Sequence, residues 1–119
     1  MGRNSKDNSM EKRKMVQNIS REYFVCLRNQ SLKNFHLTLN EGGQRKGKSL
    51  KEICEYIAKV EYAFARLDVV DKTIINNDFF YSDDQYWWVN VYPQSTYYRL
   101  KVLAVSRFLE SWDLVNKEC

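Results

Sequence analysis

The feature that most constrains the fold of this chain is a run of apolar residues at steps of three and four after Ser49. The run consists of Leu50, Ile53, Ile57, Val60, Phe64 and Leu67, the spacing of one face of an α-helix that packs on a neighbour. Ser49 and Glu52 predict a capping box, in which each side chain bonds a backbone N–H at the helix start. We expect the face to pack within the chain, although a partner-binding helix would show the same pattern.

Similar patterns predict about four further helices. An amphipathic first helix from Ser9 to about Gln30 is indicated by apolar residues at helical spacing, namely Val16, Ile19, Tyr23 and Cys26 or Leu27. Asp68 is expected to cap a third helix that ends near Asn77, with an apolar side of Val69, Val70, Ile74 and Ile75. Ser82 and Gln85 predict a short tryptophan-bearing helix that Pro93 ends, and Ser95 is expected to cap a last helix to about Trp112. The chain is therefore predicted to be an all-α, single-domain helical bundle.

The domain organisation follows from length and from the placement of glycine. A chain of 119 residues is long enough for one domain. We expect a disordered N-terminus over residues 1–8 and one helical domain over residues 9–119. Gly42, Gly43 and Gly47 fall in a segment without an apolar anchor, which predicts a flexible loop over residues 40–48.

The composition argues against several classes of protein. No run of about 18 apolar residues is present, so no membrane-spanning helix is expected, and the N-terminus lacks the apolar core of a signal peptide. We therefore expect a cytoplasmic protein. The three cysteines and His36 lack the spacing of a zinc site or a disulfide framework. Cys26 and Cys54 fall on apolar helix faces and are expected to be small core residues. No metal or cofactor is therefore expected. No enzymatic activity is expected either, because capping explains the paired aspartates at helix starts.

The charge is divided unevenly along the chain. The net charge is +4, but residues 1–51 hold 12 of the 19 basic and 4 of the 15 acidic residues, leaving a net charge of −4 on residues 52–119. A basic N-terminal half often binds phosphate backbones. The candidate cations are Lys12, Arg13, Lys14, Arg45, Lys46 and Lys48. Solvated charges on a helix face and in a loop explain these residues equally well.

Residues 87–101 are typical of a short helix, a tight turn and a second helix. Within residues 67–112, a leading segment carries Leu67, Asp68, Asp71 and Lys72, and Trp88 lies in the next predicted helix. The last helix opens with Ser95, Thr96, Tyr98, Arg99, Leu100 and Lys101, followed by Ala104. A helix-turn-helix over residues 67–112 explains this arrangement, and such units commonly read DNA.

These residues resemble the helix-turn-helix of region 4 in bacterial sigma factors and the related domain of phage late-gene activators of the RinA and ArpU type. The resemblance covers less than half of the chain. It implies contact with promoter or operator DNA, or docking on RNA polymerase, through the last helix. Gln94, Ser95, Thr96, Arg99 and Lys101 are the candidate nucleic-acid contacts, and a small transcription regulator is the predicted function.

The last helix also supports a different function, because most of its faces are apolar. Only Arg99, Ser106 and Glu110 form a clearly polar strip, so the helix is expected to be covered by the rest of the fold, by a second copy or by another protein. The alternative is a non-enzymatic helical interaction module that self-associates or binds a protein.

Aromatic residues are dense between Phe79 and Tyr98, and two arrangements explain them. Exposed rings beside cations would form a platform for single-stranded bases. A packed aromatic core is favoured, because Asp78, Asp83 and Asp84 place negative charge in the same segment.

Overall fold

The computed structural model describes the backbone of residues 2–39 and 49–118 and the side chains of residues 8–32 and 49–117. This part of the chain contains four α-helices and no strand: α1 (Gly2–Leu39), α2 (Leu50–Ala65), α3 (Val69–Ile75) and α4 (Gln94–Glu118). A π-helical turn, Asn76–Phe80, continues α3. The all-α prediction is confirmed, with four α-helices where about five were expected.

Two of the predicted helix starts have the expected capping geometry. The Ser49 backbone N–H donates to Glu52 Oε1 at 3.0 Å, and the Glu52 N–H donates to Ser49 Oγ at 3.2 Å, which completes the capping box of α2. At the start of α3, Asp68 Oδ1 accepts from the Asp71 N–H at 2.9 Å. Local sequence therefore determines where α2 and α3 begin.

Helix α1 is longer than the sequence pattern predicts. It spans Gly2–Leu39, whereas the pattern predicts a start at Ser9 and an end near Gln30. The chain has neither glycine nor proline between residues 3 and 39, so no strong helix-breaking residue interrupts it. The predicted loop at 40–48 lies outside the described residues.

The hydrophobic core forms where α4 packs against α1, α2 and α3. Its buried members are Val16, Ile19, Val60, Ala63, Leu67, Ile74, Ile75, Phe79, Ala104, Val105, Phe108, Leu109 and Val115. The predicted apolar faces of α1 and α2 supply the contacts from those helices. A second, smaller cluster joins Cys26 to Ile53 and Ile57, which confirms the core position of Cys26.

Three residues expected to be apolar contacts are exposed. Cys54 faces solvent on α2. Val69 and Val70 are 77% and 40% exposed, because the short helix α3 buries the side that carries Asp71, Ile74 and Ile75. Val69 lies roughly opposite that side on the helix.

The predicted helix after Ser82 is not present, because residues 81–93 form a series of turns. Asp84 Oδ1 accepts from the Tyr86 N–H at 2.9 Å, a local bond that competes with helix formation. The Val89 N–H bonds Tyr86 O and the Val91 N–H bonds Trp88 O, both at turn spacing. The expected pair of helices with a tight turn at residues 90–93 is therefore not formed there.

Helix α4 begins one residue before its predicted cap and extends to Glu118. The Pro93 carbonyl accepts from the Tyr97 N–H at 2.9 Å, so Pro93 takes the N-cap position and Ser95 lies inside the first turn. No helix of the described residues has both the length and the apolar character needed to cross a membrane.

Candidate nucleic-acid interface

The start of α4 is held in place by a buried carboxylate, Asp78, in the π-helical turn. The side chain of Asp78 is 6% exposed. The Trp87 indole Nε1 donates to Asp78 Oδ1 at 2.7 Å, and the Tyr97 hydroxyl donates to Oδ2. Lys101 Nζ lies 3.4 Å from the same Oδ2. One carboxylate thus fastens both the turn segment at 81–93 and the first two turns of α4.

Lys101 was predicted to contact DNA, and the structure turns it inward. Its ammonium lies 5.4 Å from the centre of the Phe79 ring and 5.8 Å from that of Tyr97, and its side chain is 19% exposed. Tyr97 and Lys101 are four residues apart, on the same face of α4. The ion pair with Asp78 therefore removes Lys101 from the set of cations that face solvent.

The other predicted contacts at the start of α4 lie at the surface. Gln94, Ser95 and Arg99 are exposed, and Thr96 is half-buried. The first-turn N–H groups of an α-helix have no partner within the helix, and Pro93 has no side-chain oxygen to accept from them. The first two turns of α4 therefore carry hydroxyls and a guanidinium at the surface, at the helix end where the backbone N–H groups favour an anion.

The basic segment of α1 lies alongside α4. Lys12 and Arg13 are half-buried and line a shallow groove of about 160 Å³ between the two helices. Its lining is completed by Asn8, Ser9, Val102, Val105 and Ser106. Lys12 Nζ donates to Ser106 Oγ at 3.2 Å, which fixes it to α4. Among the described lining residues none is acidic; we call this groove the α1–α4 groove.

The remaining predicted cations lie elsewhere. Lys14 is exposed on α1 and is not part of the groove lining. Arg45, Lys46 and Lys48 lie outside the described residues.

The Tyr97 hydroxyl at the start of α4 has a raised pKa. Burial raises the pKa of the Tyr97 hydroxyl above its ordinary value, and the hydrogen bond to Asp78 raises it further. The positive charge of Arg13 acts in the opposite direction and lowers this pKa. Arg13 and Val102 line the same groove, so this cation of α1 lies beside α4.

The aromatic rings divide between the core and the surface. Phe79 is buried, as the packed-core interpretation requires. Trp88 stacks on Tyr97, with ring centroids 4.3 Å apart and planes within 5°. Tyr98 borders both rings, at 5.1 Å from Tyr97 and 6.1 Å from Trp88, yet it is 47% exposed.

A second buried carboxylate, Asp71, forms an ion pair with Arg107 of α4. Burial raises the pKa of Asp71, while its hydrogen bond with Arg107 acts to lower it. The Arg107 Nη1 to Asp71 Oδ2 distance is 3.2 Å. Within the described residues, histidine, cysteine and acidic side chains form no group of three able to hold a metal ion.

Sequence reasoning missed the roles of Asp78 and Trp87. Asp78 was counted only as negative charge near the aromatic residues, and Trp87 was placed on a helix. The spacing of Tyr97 and Lys101 places a phenol and an ammonium on one helix face. If that face is buried, both groups need a nearby acceptor, which Asp78 provides.

Comparison with protein-family models, curated proteins and solved structures found no match to this chain.

Proposed function

We propose that this protein is a small DNA-binding transcription regulator that contacts phosphates through the opening turn of α4 and the α1–α4 groove. The regulatory role is carried over from the sequence resemblance of residues 67–112 to sigma factor region 4, which also implies RNA polymerase as an alternative partner. In this proposal α4 is the DNA-contacting helix, although the turns at 81–93 replace the helix expected before it.

The observation that carries the proposal is that two distant parts of the chain, the start of α4 and the basic segment of α1, place polar and basic side chains along α4. Ser95 and Arg99 are exposed on α4, and Lys12 and Arg13 line the groove beside it, where the described lining residues include no acidic side chain. Cations attract phosphates because binding releases counterions that are condensed on the nucleic acid. Arg99 and the groove therefore supply affinity rather than base discrimination.

The test is binding of a fluorescent DNA across a salt series. The probe is a mixed-sequence duplex with a single-stranded tail of about 12 nucleotides, so that both forms of DNA are offered. We expect binding that weakens as salt rises, and Arg99→Ala should reduce the salt slope by about 1.

The matched control is Arg28→Ala, which removes the same charge from an exposed position on α1 that does not line the groove. It should alter the slope less than Arg99→Ala does. Absence of binding at low salt, or equal effects of the two changes, contradicts the proposal.

The exposed apolar side chains of α4 favour a second candidate, a self-associating or protein-binding helical module. Val102, Leu103 and Leu114 are 49%, 40% and 45% exposed. Sedimentation over a range of concentrations tests self-association, and Leu103→Glu should shift any dimer towards monomer. A monomer at every concentration removes self-association from this candidate.

A further inference from the structure

We propose that the α1–α4 groove and the neighbouring rings of Tyr98 and Trp88 bind single-stranded nucleic acid, with phosphates in the groove and unpaired bases on the rings. This inference rests on the proposed function and names the form of nucleic acid that the surface takes. Proteins that bind single strands without sequence preference combine a basic groove with aromatic rings on which bases stack.

The first requirement is an exposed ring beside the basic groove. Tyr98 is 47% exposed in the first turns of α4, and Val102, one helical turn later on the same side, lines the groove with Arg13. A strand whose phosphates follow Lys12 and Arg13 therefore passes the Tyr98 ring within one helical turn.

The second requirement is a rigid support for the rings. Trp88 is stacked on Tyr97, and the Trp88 indole Nε1 donates to Gln85 O at 3.1 Å. Tyr97 is itself 4% exposed and bonded to Asp78. Because the rings are held before binding, little conformational entropy is lost when a base stacks on them.

The third requirement is that negative charge does not dominate the surface. The sequence places Asp78, Asp83 and Asp84 near the aromatic residues. The structure buries Asp78 against Lys101, which neutralises it, and neither Asp83 nor Asp84 lines the groove. Of the three aspartates that argue against a stacking surface, Asp78 is therefore neutralised by its ion pair.

A duplex is a poorer fit to the same surface. Its bases are stacked on one another inside the helix, so Tyr98 and Trp88 have no free base to cover. The face of α4 beyond Arg99 carries Val102 and Leu103. These apolar side chains cannot hydrogen-bond phosphates and can contact few base edges. The surface thus offers a duplex phosphate contacts alone.

The experiment is fluorescence anisotropy of the full chain with a labelled pyrimidine-rich strand of about 12 nucleotides, compared with the same strand in a duplex. We expect tighter binding of the single strand. Tyr98→Leu should weaken that binding by about fivefold to a hundredfold, with little effect on the duplex, and Tyr98→Phe should retain it because the ring remains.

The matched control is Tyr62→Leu, which removes a tyrosine ring that is 52% exposed on α2 and should leave binding unchanged. Far-ultraviolet circular dichroism of each variant checks that the helices remain folded. The single strand is expected to quench the tryptophan fluorescence of the wild-type protein, because Trp88 lies at the stacking surface.

The outcomes separate this inference from the proposed function. Duplex binding equal to or tighter than single-strand binding, or a Tyr98→Leu variant that binds the single strand like wild type, overturns the inference and leaves DNA binding standing. Absence of binding to either form at low salt overturns both.

Discussion

Replacing Asp78 by asparagine tests whether one buried carboxylate fastens the turn segment to α4. The side chain keeps its shape but loses its charge. Its amide oxygen can still accept from Trp87 while its NH₂ donates to the Tyr97 hydroxyl, so both contacts become hydrogen bonds between neutral groups. Lys101 loses the carboxylate that lies 3.4 Å away.

The expected cost follows from these contacts. A hydrogen bond to a charged group contributes about 1.5–3 kcal/mol, and breaking a buried ion pair costs about 3–5 kcal/mol. Asp78 is 6% exposed but Lys101 is 19% exposed, so the freed ammonium can turn towards water and recover part of the loss. We therefore expect Asp78→Asn to lower the free energy of unfolding by about 2–4 kcal/mol.

Urea unfolding, followed by tryptophan fluorescence and by circular dichroism, measures this change. The matched control is Asp83→Asn, which removes the same charge from an exposed position in the turn segment and should change stability by about 0.5 kcal/mol or less. An Asp78→Asn variant as stable as the Asp83→Asn variant would refute the reasoning, since it would mean that the network contributes nothing net.

Three further predictions concern helix capping, core packing and pH. Ser49→Ala removes the α2 capping box and should cost about 1 kcal/mol in urea unfolding; an unchanged midpoint would contradict the capping role. Phe108→Ala empties a fully buried site at the junction of the helices and should cost about 3–5 kcal/mol, whereas a loss under 1 kcal/mol would mean that the core collapses around the gap. Burial raises the pKa of Tyr23, Tyr56 and Tyr97, that of Tyr56 to about 12. Because the unfolded chain releases these protons at lower pH than the folded chain, the tyrosines' contribution to the free energy of unfolding should be complete below pH 10 and fall as the pH rises above it. Phenolate absorbance during alkaline unfolding measures this change. Titration of the tyrosines without loss of helix would contradict the prediction.

Much of the fold could be predicted because its determinants are local. The apolar faces of α1 and α2 and the caps at Ser49 and Asp68 depend on residues three or four positions apart, and helical geometry brings such residues together in any context. The same reasoning failed at residues 82–92, where the Asp84 turn and the reach of Trp87 to Asp78 overrode a local capping pattern.

The sequence by itself determined that the chain is helical, where α2 and α3 begin, and that Gln94, Ser95, Thr96 and Arg99 would stand at the start of the last helix. Only the tertiary structure decided that Lys101 turns inward, that Asp78 is buried, and that Arg13 lies beside a helix more than 80 residues away in the chain. The physical reason is that burial and ion pairing depend on which distant elements pack together. A local pattern records which face of a helix is apolar, but not which neighbour covers it.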